Sequence, residues 1–281
     1  MAARPDSPFG ARLRTALDER GPLCAGVDPH TALLAQWGLD DDVAGLERFS
    51  YTVVEALADR VAVLKPQSAF FERYGSRGIA VLERVVDDAR SAGTLVIMDA
   101  KRGDIGSTVA AYADAYLEPS SPLFSDALTA NPYLGFGSLE PLYALAEKNN
   151  AGVFVLGLTS NPEGAQVQGA VGASGRSVAE EIIAAAAARN ADASPMGPIG
   201  VVVGGTVETP TFDLGRLNGA YLVPGIGAQG ATAEDVKRIF GAGAHNVVPA
   251  SSREILRGGP SVAGLRDAAA RAVDELQGIL D

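Results

Sequence analysis

The sequence has few of the residues on which disulfide, thiolate–metal and membrane chemistry depend. Cys24 is the one cysteine among 281 residues, so an internal disulfide and a cysteine-based zinc site are excluded. It lies in an apolar run and is predicted to be a packing residue rather than a nucleophile. No apolar stretch approaches the ~18 residues of a membrane span, and the N-terminus lacks a basic-then-apolar secretion signal. We therefore expect a cytoplasmic protein.

Positive charge is also scarce. The chain has 23 lysines and arginines against 34 acidic residues, a formal net charge of −11. An acidic surface argues against nucleic acid or an anionic membrane as a partner. It does not exclude a small anionic ligand, because a pocket can be positive inside a negative protein. Hydrophobic residues make up 47% of the chain, which is enough for a substantial core.

Short apolar runs alternate with amphipathic segments along the chain. Eight runs are predicted strands: Leu23–Val27, Val61–Leu64, Thr94–Met98, Ala127–Ala130, Gly152–Leu158, Ile199–Val203, Ala220–Val223 and Asn246–Val248. Most are nearly all apolar, as in a parallel sheet that is covered on both faces. Helical patterns are predicted at Ala44–Arg60, Ile79–Val86, Ser138–Lys148, Ser177–Arg189, Ala233–Phe240 and Val262–Leu280.

Eight strands, each followed by a helix or helix-like segment, predict a (β/α)8 TIM barrel, whose usual length is ~250 residues. A doubly wound sheet is the main alternative. Because no linker or composition break divides the chain, residues 1–281 are expected to form a single domain. The least regular stretch, residues 160–176, carries four glycines and is predicted to be a long mobile loop after strand five.

Charged residues follow the first three predicted strands, where the catalytic groups of a barrel are found. Asp28 follows strand one, Lys65 strand two, and Asp99 and Lys101 strand three. Because side chains at i and i+2 share a strand face, Asp99 and Lys101 are predicted to point together into the barrel mouth, with the other two beside them. Taken singly, each charge is more typical of a solvated loop residue than of a catalytic group.

Three other residues near these strand ends have plainer interpretations. The segment Asp104-Ile-Gly-Ser-Thr is typical of an N-cap that opens the next helix. Arg102 is predicted to form a surface or loop ion pair. His30 is predicted to be structural, because nothing near it in sequence completes a metal site or a catalytic triad.

The loops after strands seven and eight are the usual phosphate site of such barrels. Strand seven is followed by Pro224-Gly225-Ile226-Gly227-Ala228-Gln229-Gly230, and strand eight leads to Ser252 and Arg253. Glycines let backbone N–H groups approach phosphate oxygens, and an arginine adds a bidentate charge. The Gly-x-Gly-x-x-Gly match is not read as a dinucleotide fold, because it follows the seventh strand and no acidic residue lies ~20 positions on. A plain tight turn is the alternative.

The segment Asp99-Ala-Lys-Arg-Gly-Asp-Ile-Gly-Ser-Thr108 resembles the signature of the orotidine 5'-phosphate decarboxylase family, in its longer bacterial subgroup (type 2). The resemblance extends over nearly the whole chain. It implies decarboxylation of orotidine 5'-monophosphate to UMP and CO2, the last step of de novo UMP biosynthesis, without metal or cofactor. It also implies a homodimer with shared active sites.

The resemblance implies a role for each candidate residue. Lys101 would protonate the C6 carbanion, Asp99 would lie beside the substrate carboxylate, and Lys65 would pair with Asp99 and touch the ribose. The remaining roles are ribose binding by Asp28, action in the partner's site by Asp104 and Thr108, pyrimidine contact by Ser160, and phosphate binding by Pro224, Gly225, Gly227, Gln229, Ser252 and Arg253.

The sequence departs from the family pattern at two places. Ser252 stands where many members have glycine, although its backbone N–H can still donate to phosphate. The loop that carries Ser160 is longer than in compact relatives.

Two rival functions remain open from the residues alone. A Mg²⁺-dependent sugar-phosphate aldolase or decarboxylase would share Asp99, Lys101 and Asp104 but would need an acidic metal ligand, and no predicted strand has glutamate at its C-terminal edge. A non-catalytic phosphate-binding barrel would keep the loops around Gly225 and Arg253 but has no use for charges at the ends of strands one to three.

Overall fold

Eight parallel strands close into a barrel in sequence order, with the last strand paired to the first. The structure, a computed structural model, describes residues 5–226 and 232–280. The strands are β1 Cys24–Val27, β2 Val63–Pro66, β3 Leu95–Arg102, β4 Ala127–Ala130, β5 Gly152–Leu158, β6 Ile199–Val203, β7 Tyr221–Pro224 and β8 Val247–Ser251. The predicted (β/α)8 barrel is confirmed, and the doubly wound sheet is excluded.

Helices cover the outside of the barrel. Those described are α1 Phe9–Arg20, α2 Thr31–Gln36, α3 Val43–Leu57, α4 Ala69–Glu72, α5 Ser76–Ser91, α6 Gly106–Leu117, α7 Glu140–Lys148, α8 Ala165–Gln168, α9 Val178–Asn190, α10 Ala233–Phe240, α11 Arg253–Leu256 and α12 Val262–Leu280. The connection between β6 and β7 contains a helix-like segment rather than an α-helix, the 3-10 segment Leu214–Arg216.

The core has an inner and an outer apolar layer. The inner layer includes Cys24, Ile97 and Phe154 from the strands, and Phe9 of α1 packs edge-on against Phe154 with ring centroids 6.0 Å apart. Cys24 is fully buried there, and burial raises the pKa of its thiol to about 12, so the predicted packing role is confirmed. α1, for which the sequence pattern made no prediction, thus closes the N-terminal end of the barrel.

Two strands extend further toward the barrel mouth than predicted. β2 continues to Pro66, so it includes Lys65, and β3 continues through Asp99 and Lys101 to Arg102. The sequence pattern ended both strands at the last apolar residue, since a charged residue normally marks solvent. Here opposite charges on neighbouring strands neutralise one another. Lys65 and Asp99 are therefore strand residues rather than solvated loop residues.

The segment 160–176 after β5 contains more regular structure than the predicted irregular loop. Pro162–Gly164 forms a 3-10 turn that leads into α8, and a bridge pairs Val171 with Ser177. Gln168 ties the segment back to the end of β5, because its side chain accepts from the backbone N–H of Thr159 at 2.8 Å and donates to the Thr159 hydroxyl at 2.7 Å.

Within residues 5–226 and 232–280, no helix has both the length and the apolar character that crossing a membrane requires.

Candidate active site

Three charged side chains meet at the carboxyl ends of β2 and β3. Lys65 Nζ lies 2.8 Å from Asp99 Oδ2, and Lys101 Nζ lies 2.6 Å from Asp99 Oδ1. One carboxylate thus separates two ammonium groups. The Lys65 and Asp99 side chains are about 10% exposed, whereas 44% of the Lys101 side chain is exposed. The Lys101 ammonium is therefore the member of the array that faces the open mouth.

Lys65 and Asp99 stay ionised although both side chains are buried. Burial by itself raises the pKa of Asp99, but attraction to Lys65 and Lys101 and their hydrogen bonds outweigh it and lower that pKa to about 2. Burial alone would lower the pKa of Lys65, yet Asp99 and Asp28 reverse this and hold it above the usual value. The site therefore carries fixed opposite charges at neutral pH, which is the arrangement that stabilises charge developing in a bound reactant.

The pairing of β3 with β4 is irregular at the segment that carries Asp99 and Lys101. Residues 99–101 bulge between the pairs Met98–Leu128 and Arg102–Ala130, so that Thr129 of β4 alone lies opposite three residues of β3. Lys101 has a φ of 47°, in the left-handed region. The Asp99 and Lys101 side chains meet as predicted, and Met98 and Ala100, which alternate with them, pack in the outer layer.

Two polar residues that the sequence reasoning missed hold Asp99. The Thr129 hydroxyl donates to Asp99 Oδ1 at 2.9 Å, and Gln67 Nε2 donates to the Asp99 carbonyl oxygen at 3.1 Å. Thr129 is the one polar residue of β4. A polar residue in an otherwise apolar strand is a sequence signal from which its role could have been suspected. Gln67 lies two positions after Lys65, at the level of the barrel mouth.

A cavity of about 770 Å³ opens beside the array and is lined by residues of β2, β7 and β8 and of the segments that follow β1, β7 and β8. Asp28, Lys65, Pro224, Gly225, Ser252 and Arg253 all contribute to its wall, so the structure brings these candidate residues together. Arg257, which sequence reasoning missed, lies one helical turn after Arg253 and adds a second guanidinium.

Two buried polar atoms at this cavity have no hydrogen-bond partner in the described part of the chain: Asp28 Oδ1 and Ser252 Oγ. A side chain at Gly26 would overlap with Ser252, and its Cβ would lie 3.1 Å from Asp28 Oδ2, so glycine keeps this floor open. Because a buried polar atom without a partner is costly, the pair is suited to polar groups of a ligand.

The phosphate side of the candidate site is described in part. Gly225 has a φ of 97°, which a residue with a Cβ rarely adopts, and it begins the turn after β7. Arg253 is exposed at the first position of α11, and Ser252 immediately precedes it. The predicted contributions of Gly227 and Gln229 lie outside the described residues.

Three candidate residues stand apart from the array of their own chain. Asp104 is half-buried and accepts only from the backbone N–H of Ile105, at 2.8 Å, among the described residues. Thr108 is exposed in the first turn of α6, and Ser160 is exposed after β5. The N-cap interpretation of Asp104 was wrong: Ile105 is the N-cap of α6, because the chain stays extended for one more residue.

Arg102 has structural surroundings, whereas His30 lies against an aromatic ring at the wall of the cavity. The Arg102 guanidinium pairs with Glu72 of α4 and donates to the Tyr116 hydroxyl of α6 at 3.3 Å, so the predicted ion pair is confirmed. Glu72 also accepts from the Ser68 hydroxyl at 2.6 Å. The His30 ring lies against the Phe70 ring, with centroids 4.1 Å apart. Within the described ranges, no three histidine, cysteine or acidic side chains are grouped as metal ligands would be.

These features define a barrel enzyme whose mouth holds a lysine–carboxylate–lysine array beside a polar cavity. The chain belongs to the Orotidine 5'-phosphate decarboxylase / HUMPS family, whose model matches residues 21–268.

Its relatives share most of their length with it. An orotidine 5'-phosphate decarboxylase of Streptomyces coelicolor is 64% identical, covering 96% of this chain and 97% of the relative, and one of Salinispora arenicola is 60% identical, covering 97% and 98%. A crystal structure assigned as orotidine 5'-phosphate decarboxylase from Streptomyces avermitilis superposes with a TM-score of 0.95 at 60% identity, covering 100% of this chain and 97% of that chain.

Proposed function

We propose that this protein is a carboxy-lyase that converts orotidine 5'-monophosphate to UMP and CO2, the last step of de novo UMP biosynthesis, without metal or cofactor. The observation that carries the proposal is the Lys65–Asp99–Lys101 array, in which a partly exposed ammonium is held by a buried carboxylate at the mouth of the barrel. The relatives named as orotidine 5'-phosphate decarboxylases, up to 64% identical, support the choice of substrate.

The proposed chemistry creates and then quenches a carbanion. The bond between C6 of the pyrimidine and its carboxylate breaks, CO2 leaves, and the electron pair stays on C6. Lys101 then transfers a proton from Nζ to C6 and regains one from water. At ~4 Å, two unit charges interact by ~4 kcal/mol with an effective dielectric near ~20, so the ammonium stabilises the carbanion by a useful fraction of the ~8–23 kcal/mol that enzymes typically supply.

The surrounding charges serve this step by holding the Lys101 ammonium in place. Asp99 is ionised across the neutral range, since its pKa is about 2, and it contacts the Lys101 ammonium directly. A group already fixed by its neighbours needs little reorganisation when charge develops. Asp99 would also lie beside the substrate carboxylate.

The cavity supports a nucleotide as the ligand. Asp28 and Lys65 line the same cavity as Ser252, Arg253 and the turn from Pro224 through Gly225, which supports ribose binding by the first pair and phosphate binding by the others. Gly227 and Gln229 are proposed to complete the phosphate site, and Ser160 to contact the pyrimidine. Binding energy from the phosphate, remote from the reacting carbon, would help to hold the substrate in place.

We also propose a homodimer in which Asp104 and Thr108 act in the partner's site. Neither contacts the Lys65–Asp99–Lys101 array of its own chain within the described residues, although both belong to the segment that carries Lys101. A cytoplasmic location and a single domain over residues 1–281 remain predictions.

The test is the fall in absorbance as orotidine 5'-monophosphate is consumed by the purified protein. We expect turnover without added metal and unchanged rates after EDTA treatment. Lys101→Ala is expected to abolish turnover while the circular dichroism and the melting temperature stay close to the wild-type values. Retained activity in that variant would refute the assigned mechanism, and loss of wild-type activity with EDTA would favour the Mg²⁺-dependent rival.

A further inference from the structure

One buried hydroxyl contacts both halves of the β3 bulge. Thr129, which is 1% exposed, accepts from the backbone N–H of Lys101 at 2.9 Å and donates to Asp99 Oδ1 at 2.9 Å. The Met98 carbonyl oxygen is also near the hydroxyl but more distant, at 3.5 Å. Because a hydroxyl has one proton and the shorter contact is to a carboxylate, the proton belongs to the Asp99 bond.

These contacts close a ring around Lys101. The Lys101 backbone N–H binds Thr129, Thr129 binds Asp99 Oδ1, and that same oxygen receives the Lys101 ammonium at 2.6 Å. The Thr129 hydroxyl on the neighbouring strand therefore holds the lysine at both ends. It binds the backbone N–H directly and the Nζ through Asp99. The position of the ammonium depends on where β4 places that hydroxyl.

The Lys101 backbone needs such a support. Its φ of 47° lies in the left-handed region, which a residue with a long side chain occupies only when its surroundings over-determine it. In the bulge, Thr129 lies alone opposite residues 99–101, between the flanking strand pairs. Its hydroxyl satisfies the Lys101 backbone N–H from this position.

We propose that Thr129 is a positioning residue, which sets the location of Lys101 Nζ relative to the reacting carbon through the bulge and through Asp99. The inference rests on the proposed function of Lys101 as proton donor. Thr129 acts through these two residues and belongs to the inner wall of the barrel rather than to the ligand cavity.

The test compares Thr129→Val with Thr129→Ser. Valine keeps nearly the same shape but removes the hydroxyl, so both the Lys101 amide and Asp99 Oδ1 lose a partner. We expect kcat to fall by about 10- to 100-fold, since hydrogen bonds to charged groups contribute on that scale. KM should change less than about threefold, because the ribose and phosphate contacts are untouched. Serine, which restores the hydroxyl, should recover most of kcat.

Thr94→Val is the matched control. Thr94 is 2% exposed and its hydroxyl accepts from Arg20 at 3.1 Å, immediately before β3 at the opposite end of the barrel. Removing that hydroxyl should lower the melting temperature comparably but leave kcat within about twofold of wild type, because a loss of general stability does not move Lys101. Should Thr129→Val fail to fold, Thr129→Ala carries the same expectation.

Hydrogen exchange of the Lys101 amide gives a readout that does not depend on activity. The amide should be protected in the wild type and in Thr94→Val but exchange faster in Thr129→Val. Wild-type kcat in Thr129→Val, or a loss that Thr129→Ser does not reverse, would overturn this inference alone. A wild-type protein that does not decarboxylate orotidine 5'-monophosphate would instead overturn the proposed function, and with it the catalytic part of this inference.

Discussion

At the scale of single residues, Asp99 is the charge on which the site depends. It is buried between two ammonium groups, and the Thr129 hydroxyl and both lysines bind its two oxygens. Leaving two lysines together without this carboxylate would combine like-charge repulsion with burial, both of which are unfavourable. The ionisation of Asp99 is therefore linked to folding as well as to chemistry.

This linkage predicts an acid-sensitive contribution to stability. The pKa of Asp99 is about 2 in the folded protein, against a usual 3.8. A carboxyl whose pKa is lowered by folding stabilises the protein above its unfolded-state pKa, and that contribution is lost as pH falls toward the folded value. We expect a loss of about 2 kcal/mol between about pH 5 and pH 2, about half of it by pH 3.

Urea unfolding of the wild type and of Asp99→Asn at pH 5 and pH 3 measures this contribution. The asparagine does not titrate, so the difference in unfolding free energy between the two proteins should shrink as the pH falls. A constant difference across this range would show that the ionisation of Asp99 is not linked to folding.

The sequence identified the charged members of the site more readily than the residues that hold them. Lys65, Asp99 and Lys101 stand out because charges at the ends of apolar strands are conspicuous. Thr129 does not, because its role depends on the register between β3 and β4, and on a bulge that places it opposite residues 99–101. Pairing between segments some 30 residues apart is not encoded in either segment alone.

At the scale of elements, the end of β3 is packed directly onto the turn after β4. A Cβ on Gly103 would overlap with the carbonyl oxygen of Asn131, and the Asn131 N–H donates to the Arg102 carbonyl oxygen at 2.8 Å. Gly103 is thus required by the close approach of two backbones, not by a left-handed turn. This contact joins the segment that carries Lys101 and Asp104 to the neighbouring loop.

We therefore expect Gly103→Ala to destabilise the protein by about 1–3 kcal/mol, because the overlap must be relieved by a backbone shift. The shift would displace residues on both sides of Gly103, so kcat should fall as well. Gly137→Ala is the matched control, since a Cβ at Gly137 meets no atom within 4 Å. Urea titration and the decarboxylation assay compare the variants, and equal stability of the two would contradict the packing argument.

The apolar runs predicted the barrel because each strand is buried on both faces, which leaves a strong pattern over four to eight residues. The same reasoning could not predict that the β6–β7 connection has only the 3-10 segment Leu214–Arg216. Asn190 Nδ2 donates to the carbonyl oxygens of Ile199 and Leu217, at 2.7 and 3.0 Å, so one side chain gives a partner to a backbone group on each side of this connection. Such contacts are tertiary and leave no periodic signal.

At the scale of the whole molecule, the barrel mouth has exposed apolar side chains that suit contact with a second copy. Ile105 is 61% exposed, Tyr133 74% and Leu134 54%, although large apolar residues elsewhere are mostly buried. Ile105 follows Asp104 directly, and the Gly103–Asn131 contact joins its segment to the loop that carries the other two. A partner that covered this surface would approach Asp104 and Thr108, which supports the proposed shared site.

The shared site predicts complementation between two inactive proteins. Lys101→Ala and Asp104→Ala should each lack activity, because every homodimer site then misses one required group. After mixing and subunit exchange, half of the dimers are hybrids, in which one of two sites holds both wild-type residues, so about a quarter of wild-type activity should return. Lys101→Ala mixed with Lys101→Ala/Asp104→Ala is the control, since no combination restores a site. Absence of recovery, with exchange demonstrated by mass spectrometry of isotope-labelled subunits, would place Asp104 in the site of its own chain or outside the chemistry altogether.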